Sequence, residues 1–329
     1  MIEDYWASIS SIDRWKILLT IFLVINFKSL PFVFHYRIFR PIIHSLFRKK
    51  QSHQFLSDHA QDKESPLVFR PCITSTYTPL LEADYNLHKS NSTYFTDLDA
   101  SRSHLLSYLC HYGIRIVDQE LTAEGKLGMM AAIIGSVTTS FKKEIKIFQQ
   151  YEVWSRILTW DRKWLYIVTH FVRKGTVKQD IHTETGKFPR ACDPHKVNSK
   201  DNSAQPVVFA TSVSKYVFKK GRLTVPPERL LRTSGLLGDM GKGEEVHTQN
   251  QESQLKSVDP KADKENEHVA DLEIGQAIEK ERLRGLRYAE SWDELEPLHG
   301  ELLRGNETSS SIKAIGHFSD LAGYGISYK

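Results

Sequence analysis

Cysteine is scarce in this chain of 329 residues: Cys72, Cys110 and Cys192 are the three present. They stand far apart and form no CxxC or Cys/His grouping with zinc-ligand spacing, which argues against a zinc module or a disulfide-stapled scaffold. No metal site is expected; the thiols suit small apolar packing in a reducing compartment. An excess of one charge is also lacking, with 44 Lys and Arg against 40 Asp and Glu and a net charge of +4. That balance does not mark a nucleic-acid binder, although anionic lipid or a phosphorylated ligand stays compatible with it. No internal repeat is present. No uninterrupted apolar run reaches the roughly 20 residues that cross a bilayer, and no small-x-small cleavage site follows the apolar stretch near the N-terminus.

That stretch, "WKILLTIFLVINFKSLPFVFHYRIF" (residues 15–39), is nevertheless densely apolar from Ile17 to Phe27. Lys28 is placed to snorkel and Pro31 to kink a helix. "RIFRPIIHSLFRKK" (37–50) then mixes bulky apolar residues with Arg and Lys, a pattern for the face of an anionic membrane. Residues 1–50 are therefore expected to be a membrane-associated segment, spanning or interfacial. The basic flank is heavier after the apolar run (Arg37, Arg40, Arg48, Lys49, Lys50) than before it (Arg14, Lys16), which predicts a cytosolic location for the remainder. The alternative is a buried helix of the main domain.

Residues 51–66 are polar and read as a linker. From Leu67 to Leu81 the chain is rich in Val, Ile, Thr and Tyr, as a strand should be. Residues 92–113 read as one helix, because Tyr94, Leu98, Leu105 and Leu109 share a face; Asn91 or Ser92 is the expected N-cap and Gly113 the C′ residue. Strands are expected over 128–141, 151–160, 164–175 and 206–221, with Asp161-Arg162-Lys163 as a hairpin turn. The polar stretch 176–205 reads as an insertion. These elements predict an α+β domain over 67–237, one helix against an antiparallel sheet. Residues 238–268 have the composition of disorder, and 269–329 read as a helical extension and tail, with Ile274 and Ile278 on a loose apolar stripe.

The first strand leads into "LEADYNLHKSNSTYF" (81–95), which packs Asp84, Asn86, His88 and Asn91 before the helix. A carboxylate beside free N–H groups at a helix start can serve as general base or nucleophile while the N–H groups and the helix dipole face developing negative charge. In that reading Asp84 is the acid, His88 moves a proton or braces it, and Asn86 orients water or substrate. The N–H groups of Ser92, Thr93 and Tyr94 are the candidate oxyanion donors, and Asn91 the helix entry. An Asx turn explains Asp84 and Asn86 as well, and Asn91 as a plain cap. Asp97 and Asp99, on the helix, are a rival pair of acids that also suit simple helix surface. Lys142, Lys143, Lys215, Lys219, Lys220 and Arg222 suit either phosphate contacts or a solvated basic face. Asn91-Ser92-Thr93 and Asn306-Glu307-Thr308 match the glycosylation pattern, which is idle in a cytosolic domain.

The stretch D-Y-N-L-H-K-S-N-S-T-Y (84–94) resembles the hotdog-fold acyl thioesterases, which carry D-x-N-x-H-x-N-N-x-x-Y between the first strand and the central helix. The subgroup called thioesterase superfamily member six-like proteins is the nearest resemblance, extending over 139–172 and 215–231 and in all over about 15–235. Where many relatives have Asn-Asn, this chain has Ser90-Asn91. The resemblance implies an antiparallel sheet wrapped around one long helix, a homodimer, and hydrolysis of an acyl-CoA or other acyl thioester with no cofactor. A non-catalytic acyl-binding scaffold at a membrane is the first alternative. A hydratase or dehydratase is the second; it would want an opposing histidine, for which His104, His111 and His170 are available without a matching motif.

Overall fold

The computed structural model describes residues 2–47, 66–175, 207–237 and 261–293. The expected linker up to residue 65, the insertion at 176–205 and the stretch 238–260 lie outside them. The chain divides into two compact units, Met1–Leu286 and Arg287–Lys329; of the second, the described part is the end of a helix.

In the first unit, helices α1 (Ile2–Ile25) and α2 (Val33–Phe47) precede strand β1 (Cys72–Tyr77). Helices α3 (Thr93–Leu109) and α4 (His111–Ala123) follow, then β2 (Met130–Phe141), β3 (Gln150–Trp160), β4 (Trp164–Arg173), β5 (Val208–Lys220) and β6 (Leu223–Val225). A short helix α5 (Pro227–Thr233) and the long α6 (Lys261–Asp293) complete the order. The sheet is antiparallel in the order β1-β3-β4-β5-β2, with β6 paired to β5. This is the expected α+β arrangement.

The strands form where side chains alternate. On β3, Tyr151, Val153, Ser155 and Ile157 are buried at every second position, and Leu165, Ile167 and Phe171 match them on β4. Helix α3 lays Tyr94, Leu98, Leu105 and Leu109 into the core, the predicted face. Each such fully buried aliphatic side chain contributes about 1.5–3 kcal/mol. The Asp161 turn also forms as expected, its Oδ1 accepting the N–H groups of Lys163 and Trp164 at 2.7 Å each.

Four details depart from the sequence reading. The first strand is shorter, because Leu67–Phe69 coil into a 3₁₀ turn before it. The helix breaks at Cys110 instead of ending at Gly113, which lies within α4. A Cβ on Gly113 would meet the Leu230 carbonyl oxygen at 2.2 Å, so glycine permits α5 to approach rather than capping a helix. Helix α6 begins at Lys261, inside the stretch read as disorder.

The fourth concerns the N-terminus. Lys28, expected to snorkel toward lipid, is 7% exposed. Asn26 is fully buried beside it, and its Oδ1 accepts the Leu81 N–H at 2.8 Å. The Tyr77 hydroxyl donates to the Ile25 carbonyl and the Ser103 hydroxyl to that of Ile38. Outward, the same segment exposes Trp15, Leu18, Val24, Phe27, Phe32 and Tyr36. Among the described residues no helix is long and apolar enough to cross a membrane.

Candidate active site

Between the 3₁₀ turn Leu80–Glu82 and α3, the chain makes a small closed loop. A bridge between Ala83 and Lys89 shuts its base. The Asp84 N–H donates to the His88 carbonyl at 2.8 Å, and the Leu87 N–H donates to that of Asp84 at 3.0 Å. Closing so short a loop puts Leu87 in the left-handed region, φ 60°. A branched, non-glycine residue holds that conformation only where its surroundings fix it.

The loop aims the Asp84 carboxylate. Its Oδ1 accepts the N–H groups of Asn86 (2.9 Å) and His88 (3.2 Å). Its Oδ2 has no protein partner among the described residues. The Asx turn occupies one oxygen and leaves the other open to solvent or substrate. The Asn86 side chain is exposed and without a protein partner among the described residues. His88 meets Asp84 through its backbone; its ring Nε2 lies 3.2 Å from a carboxylate oxygen of Glu144, a residue the sequence did not single out.

At the helix entry, Ser92 takes the cap position in helical conformation and makes no side-chain cap bond. Its hydroxyl lies 3.1 Å from that of Ser90. The Thr93 hydroxyl and N–H both donate to the Ser90 carbonyl, and the Tyr94 N–H points at that of Asn91 at 3.4 Å. Of the three expected oxyanion donors, the Ser92 N–H is therefore the one with no protein acceptor among the described residues. Asn91 is exposed. Tyr94 is buried, packed edge-on against Phe141 and Phe171. Burial, with Asp97, Asp84 and Glu144 nearby, pushes its hydroxyl up, so it stays a neutral phenol at ordinary pH.

The rival acids have other employment. Asp97 is wholly buried and takes Lys28 (2.9 Å), Lys89 (3.0 Å), Arg37 (2.8 Å) and the Tyr151 hydroxyl (2.5 Å). Glu82 shares the two lysines at 2.8 and 2.6 Å. Burial raises the Asp97 carboxyl, but Lys28, Lys89, Arg37 and the Tyr151 hydrogen bond outweigh it and hold it below the usual carboxylate range. Burial lowers Lys28, with Lys89 adding to the effect, although Asp97 and Glu82 oppose it. The two shifts thus have different leading causes: cationic neighbours win over burial at Asp97, and burial wins over anionic neighbours at Lys28. Asp99 pairs with the buried Arg102. Of the basic residues, Lys143 joins Lys146, Phe148, Arg173 and Phe209 in lining a cavity of about 460 Å³ that also reaches Glu144. Among the described residues no group of acidic, His and Cys side chains could hold a metal.

The Thioesterase-like superfamily matches residues 78–188, a span that opens just before this loop. A probable thioesterase, atnL, of Emericella nidulans is 40% identical over 228 residues, 65% of this chain and 69% of that protein. The chain belongs to the thioesterase-like superfamily of hotdog fold. Thioesterase poxG of Penicillium oxalicum is 29% identical over 293 residues, 87% of this chain and 86% of its own. Among solved structures, the YbaW probable thioesterase of Escherichia coli covers 50% of this chain and 96% of its own, at 12% identity and a TM-score of 0.34. The motif that carried the resemblance, Asp84 to Tyr94, lies inside the matched family span.

Proposed function

We propose that this protein hydrolyses an acyl thioester, with Asp84 as the reacting acid. The observation that carries the reading is the divided role of its carboxylate: Oδ1 fixed by two backbone N–H groups, Oδ2 open. As a base, Asp84 takes a proton from water while the new C–O bond forms at the carbonyl carbon. The C–S bond then breaks and the thiolate leaves with a proton, giving free acid and thiol. As a nucleophile, Oδ2 bonds to the carbonyl carbon while the C–S bond breaks and the thiolate leaves to take a proton, and water then hydrolyses the anhydride to the free acid and the Asp84 carboxylate. The Ser92 N–H and the helix α3 dipole favour the oxyanion, and the Tyr94 phenol stays an O–H donor. His88, in contact with Glu144, is placed to carry the proton to the leaving group, and the exposed Asn86 to orient water.

The carrier in this reading is coenzyme A, its phosphates meeting Lys143 and Lys146 at the cavity beside Glu144. The apolar outer faces of α1 and α2 rest on a membrane that supplies long acyl groups, with the hotdog domain on the cytosolic side. Two copies pair through the edge of β2, the end strand of the sheet, where Ile133 and Ile134 are half-exposed. A dehydratase finds less support: the His170 ring meets the Thr211 hydroxyl at 3.1 Å, and none of His104, His111 and His170 bonds to the loop among the described residues.

The test is thiol release from acyl-CoAs of graded chain length by the full chain, beside Asp84→Ala. Activity that disappears in the folded variant supports the assignment. Equal turnover by both proteins sinks it.

A further inference from the structure

Lys28 and Arg37 lie far from the loop in sequence, in the segment whose composition favoured a lipid contact over a buried helix. Their side chains turn the other way, into the domain. Lys28 Nζ reaches Glu82 at 2.8 Å, Asp97 at 2.9 Å, the Tyr77 carbonyl at 3.1 Å and the Tyr151 hydroxyl at 3.2 Å. Arg37 reaches Asp97 at 2.8 Å.

The partners they choose are the feet of the reactive loop. Glu82 stands just before the Ala83–Lys89 bridge and Lys89 closes it. Both side chains point inward and meet at 2.6 Å, and Lys89 continues to Asp97 at 3.0 Å. The backbone of the same feet is tied as well. The Leu81 N–H donates to Asn26 Oδ1, the Ser90 N–H to the Glu82 carbonyl, and the Lys89 N–H to the Ile145 carbonyl, each at 2.8 Å. Between the feet stands Leu87 in a left-handed conformation. A loop under that constraint keeps its shape only if its ends cannot move.

We propose that the N-terminal segment is part of the active-site scaffold, with Lys28 and Arg37 as positioning residues that fix the loop bearing Asp84 from beneath. This rests on Asp84 being the reacting acid. They touch neither substrate nor the reacting carboxylate. Their action passes through Asp97 to Lys89, and from Lys28 directly to Glu82. Loss of either loosens the feet, and the Asp84 oxygen drifts from its attack position with little change in the surfaces that bind the acyl group or its carrier.

The experiment uses full-length Lys28→Met, Arg37→Met and Arg37→Lys, with the acyl-CoA that the wild type turns over fastest. For folded Lys28→Met the expected result is a kcat lower by about ten- to a hundredfold with KM nearly constant, the signature of misplaced reacting atoms. Arg37 is partly exposed and binds only Asp97 in the cluster, so Arg37→Met loses less and Arg37→Lys recovers the loss. Hydrogen exchange is read in parallel: the Asn86 and His88 amides, which hold Asp84 Oδ1, exchange faster in both Met variants while β4 amides keep their rates. Unchanged kcat per folded molecule in both Met variants overturns the proposal, as does exchange that rises equally everywhere. Should Lys28→Met not fold, the Arg37 pair decides by the same readings. Should the wild type cleave no acyl-CoA, the assignment of Asp84 falls, and the exchange of its loop still decides whether Lys28 and Arg37 hold it.

Discussion

Asp84 and Asp97 flank the same helix entry and have opposite surroundings. Asp84 is half-buried, held by two N–H groups of its own loop, and keeps one oxygen open. Asp97 is sealed from solvent and surrounded by Lys28, Lys89, Arg37 and the Tyr151 hydroxyl. A carboxylate whose oxygens are all occupied by cations and a phenol has neither room for substrate nor reason to accept a proton. One whose fixed oxygen is held by backbone alone is oriented yet available. In the proposed reading chemistry belongs to the first acid and cohesion to the second, a division that residue types do not reveal because both are aspartates near a helix start.

The largest expected effect separates them by rate. Asp84→Asn retains the Oδ1 acceptor for the Asn86 and His88 N–H groups, so the loop stays closed, but removes the base and nucleophile. Thiol release should fall by about a hundred- to ten-thousandfold with the thermal midpoint nearly unmoved. A folded Asp84→Asn protein with wild-type turnover would return the chemistry to the helix.

Asp97→Asn should show the reverse emphasis. Removing one charge from a buried ion-pair network strands its partners and destabilises by about 3–5 kcal/mol. The measurement is the denaturation midpoint of the full chain. A shift no larger than that of Asp84→Asn would mean that the cluster is not what holds this region together.

The contrast also explains which parts were legible in the sequence. The strands, the Asp161 turn and the Tyr94–Leu109 face were readable because each is a local pattern of period two, a turn residue, or period 3.6. The Asp84 loop was readable through its spacing and the family it resembles. Gly113 was misplaced because a glycine that admits a neighbouring backbone looks like one that ends a helix. Lys28 was misread for a different reason. A lysine after an apolar run looks like a snorkel, and its partners Glu82 and Asp97 stand 54 and 69 residues away, where no periodicity reaches. Glu144 was missed likewise, since it meets His88 only after the chain has returned from β2.

Acid titration sharpens the comparison further. In the folded chain Lys28, Lys89 and Arg37 hold the Asp97 carboxyl below its unfolded value against the cost of burial. The stability this provides is fully present above the unfolded pKa of about 3.9 and drains away as pH falls toward the folded one. The wild type should therefore lose stability below about pH 4 more steeply than Asp97→Asn, which has no proton to accept there. Parallel acid curves for the two proteins would show that Asp97 is not held as its neighbours imply.

The smallest effect tests the outer edge of the site. Glu144 is 72% exposed on its side chain and touches the His88 ring at 3.2 Å. A pair so open to water is worth about 0–1 kcal/mol, so Glu144→Gln should change turnover by no more than about fivefold and leave the midpoint where it was. Its use lies in the comparison with His88 itself. If His88 carries the proton to the leaving thiolate, His88→Gln should lower kcat by about a hundredfold with the denaturation midpoint nearly unmoved. Full activity in His88→Gln would reduce His88 to the backbone N–H that steadies Asp84 Oδ1. The loop would then work with Asp84 alone, and the leaving thiolate would take its proton from water.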